Sequence, residues 1–291
     1  MVYYRSLNYT EELQRRGYYD NVKGLIETMY RENGNRRVTI AAHSMGAPIM
    51  LHFLTQSGVV TQEWKDQFIG NFIPIAGAWS GGNEALQFEI SGLTAVNRGP
   101  GDMFNYFFRP QDSISDPFTP ILRSFQSIHF LLPRPSVWGD TVLVTTPVRS
   151  YTASDYQQLF SDIGLTDGFA MYQGIENINR DFPSPNVPTH CFYGVGIDTP
   201  RSFRYTSSFP EGADKDPQVM MGDGDGAVNL LSSEVCLRWA NNNGGRPFRS
   251  MTFDEAEHMA IVNDEDVLRE IGKIVGAAAN PTEWKSFSFF G

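Results

Sequence analysis

The chain has 291 residues, a formal net charge of −10 at pH 7 and 41% hydrophobic residues. This hydrophobic fraction is ordinary for a globular protein, so the composition excludes wholesale disorder. The negative charge argues against non-specific binding to nucleic acid, which requires basic patches. No window of the sequence is long and apolar enough to predict a transmembrane segment.

An amphipathic helix is predicted near the start of the chain, where apolar residues recur at intervals of three and four. These residues are Tyr19, Val22, Ile26 and Met29. The Asn-Gly-Asn sequence at residues 33–35 is typical of a helix end, so we expect the helix to stop there.

Residues 37–46 have the sequence Arg-Val-Thr-Ile-Ala-Ala-His-Ser-Met-Gly. The β-branched run at residues 38–40 predicts a buried strand, and a helical pattern starts directly after Ser44. A serine at such a junction, with the small residues Ala42 and Gly46 two positions away on either side, is typical of a nucleophile elbow. The strained turn lifts the hydroxyl clear of the sheet, and bulky flanking side chains would collide there.

Two interpretations of Ser44 are open at this point. In the first, Ser44 is a catalytic nucleophile, and the backbone N–H of Met45 is a candidate half of an oxyanion hole. The N–H groups at a helix start are unpaired and the helix dipole favours an anion there. In the second, Ser44 is the N-cap residue of the following helix, a position that serine also favours.

The strand–helix alternation predicts an α/β fold with a parallel sheet, whose second strand lies at residues 72–76. The alternation stops at residue 83, and about a hundred residues follow before the next clear strand, too many for a plain connection. We interpret residues 83–186 as a cap inserted over the active site, and an irregular subdomain is the alternative. Residues 1–82 then form the N-terminal part of the core and residues 187–291 its C-terminal part.

Gly and Asp alternate in residues 222–229, Gly-Asp-Gly-Asp-Gly-Ala-Val-Asn. A calcium loop is one interpretation, but the ligand spacing and the distal glutamate of an EF-hand are missing. A tight turn that presents one carboxylate after a strand fits better. The last predicted strand, residues 248–253, is followed by His258. In an α/β-hydrolase triad, the serine follows one strand, the acid follows a later strand and the histidine follows the last strand. The candidates in this chain occur in the same order.

Of the five histidines, only His258 lies in a loop after the final strand. His43 precedes the serine on a tight turn, from which its ring cannot easily reach the hydroxyl. The other three lie on the helix after the elbow, in the predicted cap and at the start of a strand: His52, His129 and His190. The alternative for His258 is an ordinary surface histidine.

Several motifs, in this order, resemble the lecithin:cholesterol acyltransferase family, closest to its lysosomal (group XV) phospholipase A2 branch. They are Ala-His-Ser-Met-Gly at 42–46, Ala-Gly-Ala-Trp-Ser-Gly-Gly at 76–82, Asp-Tyr-Gln-Gln-Leu-Phe-Ser-Asp-Ile-Gly at 155–164, His-Cys-Phe-Tyr-Gly at 190–194, the run at 222–229 and Glu-His at 257–258. The resemblance implies an α/β-hydrolase fold with an inserted cap and a serine acyl-ester hydrolase or transacylase that acts on glycerophospholipids.

The resemblance also implies site residues. Ser44 matches the family's nucleophile, His258 its base and Asp225, the second aspartate of the Gly-Asp run, its acid, so Asp223 is not carried over. Met45 would donate one oxyanion hydrogen bond from its backbone. Phenylalanine, leucine and tryptophan side chains of the cap are expected to supply surface for the acyl chain, although any one of them could instead belong to the core of the cap. The resemblance is clear at Leu131-Leu132-Pro133 and at Trp138.

The family's second oxyanion donor lies after an early strand for which this chain has no counterpart. We therefore expect a fold that is incomplete at the N-terminus, with an unpaired edge at the strand before Ser44. Two alternatives to the phospholipase or acyltransferase follow. One is a truncated and catalytically impaired family member, and the other is an acyltransferase that uses a sterol or another lipid alcohol as acceptor.

Cys191 and Cys236 are the only cysteines, and both match positions of a family disulfide. The resemblance therefore implies maturation in an oxidising compartment, with a lysosomal or secreted location for the full-length parent. The alternative is a pair of free thiols in a cytosolic protein, which the missing signal-peptide pattern at residues 1–5 would favour. We expect no cofactor and no metal, and a phospholipid substrate at a membrane or lipoprotein surface.

Overall fold

The computed structural model describes residues 17–92, 120, 123–213 and 215–276. In chain order its elements are α1 (Tyr18–Glu32), β1 (Val38–His43), α2 (Gly46–Thr55), α3 (Gln62–Phe68), β2 (Ile69–Ile75), α4 (Asn83–Ser91), α5 (Gln126–Phe130), α6 (Pro135–Trp138), β3 (Val144–Thr145), β4 (Ser150–Tyr151), α7 (Tyr156–Asp162), α8 (Gly168–Gln173), β5 (Thr189–Val195), β6 (Ile197–Arg204), β7 (Gln218–Gly224), α9 (Leu230–Ser233), β8 (Phe248–Asp254) and α10 (Glu265–Val275). Short 3₁₀ helices lie at Ala153–Asp155, Glu234–Trp239 and Ala260–Asn263.

The central sheet has four strands in the order β1-β2-β5-β8, and all its pairings are parallel. His43 lies opposite Ile75, which in turn lies opposite Phe192, so the strands end close together. Groups that follow the carboxyl ends of parallel strands meet at the same edge of a sheet, and this edge carries the candidate site. Within the described residues, β1 pairs with β2 alone and is the end strand of the sheet.

Two apolar layers cover the central sheet. On one face, α1, α2 and α3 pack around a core that includes Tyr19, Leu51 and Phe72. On the other face, α10 covers β5 and β8, and its Val267 packs against Phe192 in a separate cluster. Burial of these faces removes apolar surface from water and is the main force that holds the helices on the sheet.

The predicted helix at the start of the chain is present as α1. Tyr19 and Ile26 are buried, but Met29 is 42% exposed. At 100° per residue, Met29 lies about 80° around the helix from Tyr19, at the margin of the buried face. The predicted strands at residues 72–76 and 248–253 are β2 and β8, and the helix after β8 is α10.

A second sheet, of mixed pairing, has the order β4-β3-β6-β7. It packs with the short helices α5 to α8 around a large core that includes Trp138, Tyr156, Phe160 and Phe203. β3 and β4 belong to the segment predicted as the cap, whereas β6 and β7 follow it in sequence. The division of the chain at residues 83 and 186 stays a prediction. The aromatic residues 104–108 lie outside the described residues.

None of the helices in the described residues is long and apolar enough to cross a membrane.

Candidate active site

Ser44 lies on a strained turn between the end of β1 and the start of α2. Its φ of +54° is in the left-handed region, which non-glycine residues rarely adopt. The backbone N–H of Ser44 donates a hydrogen bond to the carbonyl of Ile75 at 3.0 Å, which ties the turn to β2. The N-cap position of α2 is occupied by Met45, and no side chain caps this helix. The N-cap interpretation of Ser44 is therefore wrong.

Asp225 lies in the turn after β7 and is completely buried. One carboxylate oxygen, Oδ1, accepts hydrogen bonds from the backbone N–H groups of Ala227 at 3.1 Å and Val228 at 2.7 Å. The other oxygen, Oδ2, lies 2.8 Å from Nδ1 of His258. Three hydrogen bonds thus fix the carboxylate in one orientation.

His258 follows β8 and is also completely buried. Its Nε2 lies 2.8 Å from the Oγ of Ser44, and its backbone N–H donates to the carbonyl of Asp225 at 2.8 Å. A carboxylate can only accept, so Nδ1 carries the proton, and Nε2 is the atom that accepts the proton of the serine hydroxyl. The structure therefore brings Ser44, His258 and Asp225 into one hydrogen-bonded chain.

The electrostatic environment of His258 favours its charged form. Burial acts to lower the pKa of the imidazole, but the negative charge and hydrogen bond of Asp225 outweigh it, so this pKa lies above the usual value.

The loop between β8 and His258 packs closely against β5. A Cβ on Gly194 would lie 2.0 Å from the carbonyl oxygen of Ala256 in this loop. Only glycine allows β5 to approach the loop this closely.

A small cavity of about 10 Å³ adjoins Ser44, with room for about one water molecule. Its other lining residues include Ala78, Ala85, Leu131, Val228 and Glu84. Leu131 therefore faces the cavity, whereas Leu132 and Trp138 are buried in the neighbouring core. Sequence reasoning missed Glu84, whose only signal is its position two residues after the Gly-Gly of residues 81–82.

Asp223 and three of the other histidines weighed in the sequence lie away from the contacts of Ser44 and His258. Asp223 is exposed and accepts a hydrogen bond from the N–H of Gly196, so it does not join the chain of Ser44 and His258. His52 contacts Tyr19 through its Nδ1 at 3.0 Å. His129 and His190 also lie outside this hydrogen-bonded chain, in contact with Phe125 and Asn71. In the part of the chain that the structure describes, no group of three acidic, histidine or cysteine side chains could hold a metal ion.

Sequence reasoning did not find the contact of His43. Its Nε2 lies 2.7 Å from the backbone carbonyl oxygen of His258, and the two rings are 4.9 Å apart. The only signal in the sequence is the position of His43 directly before the serine.

Cys191 on β5 and Cys236 in the 3₁₀ helix after α9 form a disulfide, with Cα atoms 6.6 Å apart. This separation is within the normal range for the bond. The free-thiol alternative is wrong, and the bond links the two chain segments that flank Asp225.

Comparison with known proteins adds the family. The family model described as lecithin:cholesterol acyltransferase matches residues 8–265. The phosphatidylcholine-sterol acyltransferase of Gallus gallus is 37% identical over 226 residues, which cover 77% of this chain and 50% of that protein. The lysosomal phospholipase A and acyltransferase of Homo sapiens is 38% identical over 225 residues, which cover 76% of this chain and 49% of that protein. The chain spans about half the length of the curated relatives it matches.

Among solved structures, the crystal structure of the Tle4-Tli4 complex superposes with a TM-score of 0.54 at 14% identity, covering 92% of this chain and 66% of that one. This likeness concerns the fold alone. With the parallel sheet, the elbow and the chain order of the three residues, it identifies the predicted α/β-hydrolase fold. With a family model that matches residues 8–265, the chain belongs to the lecithin:cholesterol acyltransferase family.

Proposed function

We propose that this chain carries the catalytic centre of a serine acyl-ester hydrolase or transacylase that acts on glycerophospholipids, as a phospholipase A or O-acyltransferase. The observation that carries the proposal is the chain of two 2.8 Å contacts that joins Ser44 Oγ to His258 Nε2 and His258 Nδ1 to Asp225. A serine hydroxyl is a weak nucleophile, and a base held in this geometry activates it.

In the first half of the proposed reaction, Ser44 Oγ attacks the ester carbonyl carbon of the phospholipid while its proton moves to His258 Nε2. The developing oxyanion accepts a hydrogen bond from the backbone N–H of Met45, at the start of α2. Asp225 holds the tautomer of His258 and stabilises the imidazolium. Collapse of the intermediate breaks the ester bond, and the leaving lysophospholipid oxygen takes the proton from His258.

In the second half, His258 removes a proton from water or from a lipid alcohol, and the resulting oxygen attacks the acyl-Ser44 ester. Collapse of this second intermediate returns the proton to Ser44 and releases a fatty acid or a new ester. Both outcomes use the same side chains, so the acceptor that reaches the acyl-enzyme decides between hydrolysis and transfer.

The cavity beside Ser44 is too small to hold an acyl chain, but most of its lining residues are apolar, which supports an acyl group as the part of the substrate next to Ser44. We propose that Leu131 and other side chains of residues 83–186 form the acyl-chain surface, and that the substrate is taken from a membrane or lipoprotein surface. The disulfide supports a lysosomal or secreted location for the full-length protein, because such bonds persist in oxidising compartments.

The test combines active-site labelling with an assay of acyl release. A fluorophosphonate probe should label the wild-type chain and not Ser44→Ala. Phosphatidylcholine liposomes that contain cholesterol should yield fatty acid or sterol ester with the wild type alone, and the ratio of the two products identifies the acceptor. Release by Ser44→Ala at the wild-type rate would overturn the proposal, and so would a wild-type chain that is neither labelled nor active.

A further inference from the structure

His43 is the last residue of β1 and directly precedes Ser44. The register places it opposite Ile75, so its side chain lies on the face of the sheet that α10 partly covers. From there its Nε2 reaches the backbone carbonyl of His258 at 2.7 Å. Because a carbonyl can only accept, Nε2 of His43 carries the proton and donates it to this hydrogen bond.

This bond completes the set of contacts that hold His258. The imidazole is held by Asp225 and Ser44, and the backbone N–H of His258 donates to the carbonyl of Asp225. The backbone carbonyl is held by His43, which lies outside the proposed triad. His43 thereby couples the strand that ends at the nucleophile to the loop that carries the base.

His43 can make this bond without adding positive charge. Burial and the neighbouring charge of His258 lower the pKa of His43 to about 4, so its ring is neutral at neutral pH. The ring centroids are 4.9 Å apart, a distance at which a second cation would oppose formation of the imidazolium on His258. A lysine or arginine at this position would donate the same bond at that electrostatic cost.

We propose that His43 is a positioning residue, whose neutral imidazole fixes the backbone of His258 so that Nε2 stays aligned with Ser44. This inference rests on the proposed function of Ser44 and His258. The bond matters most while His258 accepts and returns a proton. A rotation of the loop would lengthen the distance from His258 Nε2 to Ser44 Oγ in both of these steps.

The experiment compares three variants in the complete chain. His43→Phe keeps a ring of similar size but removes the donor, and His43→Gln keeps a donor of similar reach. His190→Phe is the matched control, because His190 is a partly buried histidine on the same face of the sheet and contacts Asn71 instead of the base. Each variant is assayed for kcat and KM on a soluble ester, for thermal unfolding, and for the downfield proton NMR signal of His258 Nδ1–H.

His43→Phe should lower kcat about tenfold, the factor that a lost hydrogen bond of ordinary strength is worth, and should leave KM unchanged. It should also shift the His258 Nδ1–H signal, whereas His43→Gln restores both values and His190→Phe changes neither. An unchanged kcat and signal in His43→Phe, or the same loss in His190→Phe, would overturn the proposal. The NMR signal does not require turnover, so a wild-type chain that the fluorophosphonate does not label would count against the proposed function alone.

Discussion

The two aspartates of the Gly-Asp-Gly-Asp run differ in their surroundings. Asp225 is completely buried and bonds to His258, whereas Asp223 is exposed and bonds to the N–H of Gly196. We therefore expect Asp225→Asn to lower kcat by about 10⁴, because an amide favours the wrong tautomer of the base. Asp223→Asn should cost far less. The measurement is kcat of both variants on one soluble ester, and a larger loss in Asp223→Asn would identify the other aspartate as the acid.

The raised pKa of His258 predicts the position of the acid limb of the pH–rate profile. The base works only when neutral, so kcat/KM falls as pH drops through its pKa. Asp225 raises this pKa above the usual 6.5, and the half-maximal point should therefore lie above pH 6.5.

Asp225→Asn provides the control for this profile. The substitution removes the carboxylate charge and leaves burial as the main influence on His258, which lowers its pKa. The acid limb of the residual activity should then move to lower pH. An acid limb near pH 5 in the wild type would contradict the predicted direction.

At the scale of single residues, candidate site residues were predictable from the sequence where a reactive side chain follows a predicted strand. Ser44 and His258 were identified because each follows a predicted strand, in the chain order of a hydrolase triad. The choice of Asp225 over Asp223 came from the family resemblance. His43 and Glu84 were not identified, because their contacts depend on how close the loop after β8 and the start of α4 approach β1. That distance is set by packing between segments that are far apart in sequence.

At the scale of elements, strands with strong apolar runs were predictable and the second sheet was not. β2 and β5 are mostly buried and contain apolar runs, and β1 starts with the β-branched run at residues 38–40. β8 is more exposed, and its apolar residues Phe248, Met251 and Phe253 mark it in the sequence. β3 and β4 have two residues each, too few to leave a pattern. β6 contains Pro200 beside an irregularity in its register with β7, and proline in a run argues against a strand.

The disulfide predicts a stability effect at this scale, because it links β5 to the 3₁₀ helix after α9 across 45 residues. A loop of that length should contribute about 4 kcal/mol by restricting the unfolded chain. Cys191→Ala combined with Cys236→Ala should therefore lower the free energy of unfolding by about this amount. Urea unfolding measures the difference. Dithiothreitol should destabilise the wild type similarly and leave the double variant unchanged, and equal sensitivity of both proteins would contradict the prediction.

Over the whole molecule, the candidate site draws one residue from each of three distant segments. Ser44 follows β1, Asp225 follows β7 of the second sheet, and His258 follows β8. The chain order was predictable, but the pairing of β6 and β7 with β3 was not, since it joins segments on either side of β5. The carboxylate therefore depends on the packing of both sheets.

Buried titratable groups are also spread over the whole molecule. Burial lowers the pKa of His43, His52 and His129 to about 4, with the charge of His258 adding to the shift of His43. Burial raises the pKa of Glu89 to about 8, so this carboxyl is protonated at neutral pH. Nδ1 of His129 lies 3.6 Å from Oε1 of Glu89, and at pH 7 this contact joins two neutral groups.

These groups predict a stability maximum near pH 6.5. Between pH 4 and 6.5 the unfolded chain binds protons on three histidines that the folded protein keeps neutral, so stability rises with pH by on the order of 3 kcal/mol for each. Glu89 acts in the opposite direction, because its folded pKa of about 8 exceeds the ordinary 4.5. The stability that protonated Glu89 contributes to the folded protein is complete below pH 4.5. It is lost as pH rises toward 8, which lowers the free energy of unfolding by on the order of 5 kcal/mol in total. The raised pKa of His258 adds to this fall above pH 6.5.

Glu89→Gln isolates the alkaline part of this curve. An amide replaces a protonated carboxyl of nearly the same shape, so the variant should unfold at a similar temperature at pH 5 and at a higher temperature than the wild type at pH 8. Glu32→Gln, at the exposed end of α1, should follow the wild type at both pH values. Thermal unfolding by circular dichroism across this range measures all three proteins. If Glu89→Gln lost stability between pH 6.5 and 8 as steeply as the wild type, Glu89 would not be the group whose ionisation destabilises the fold.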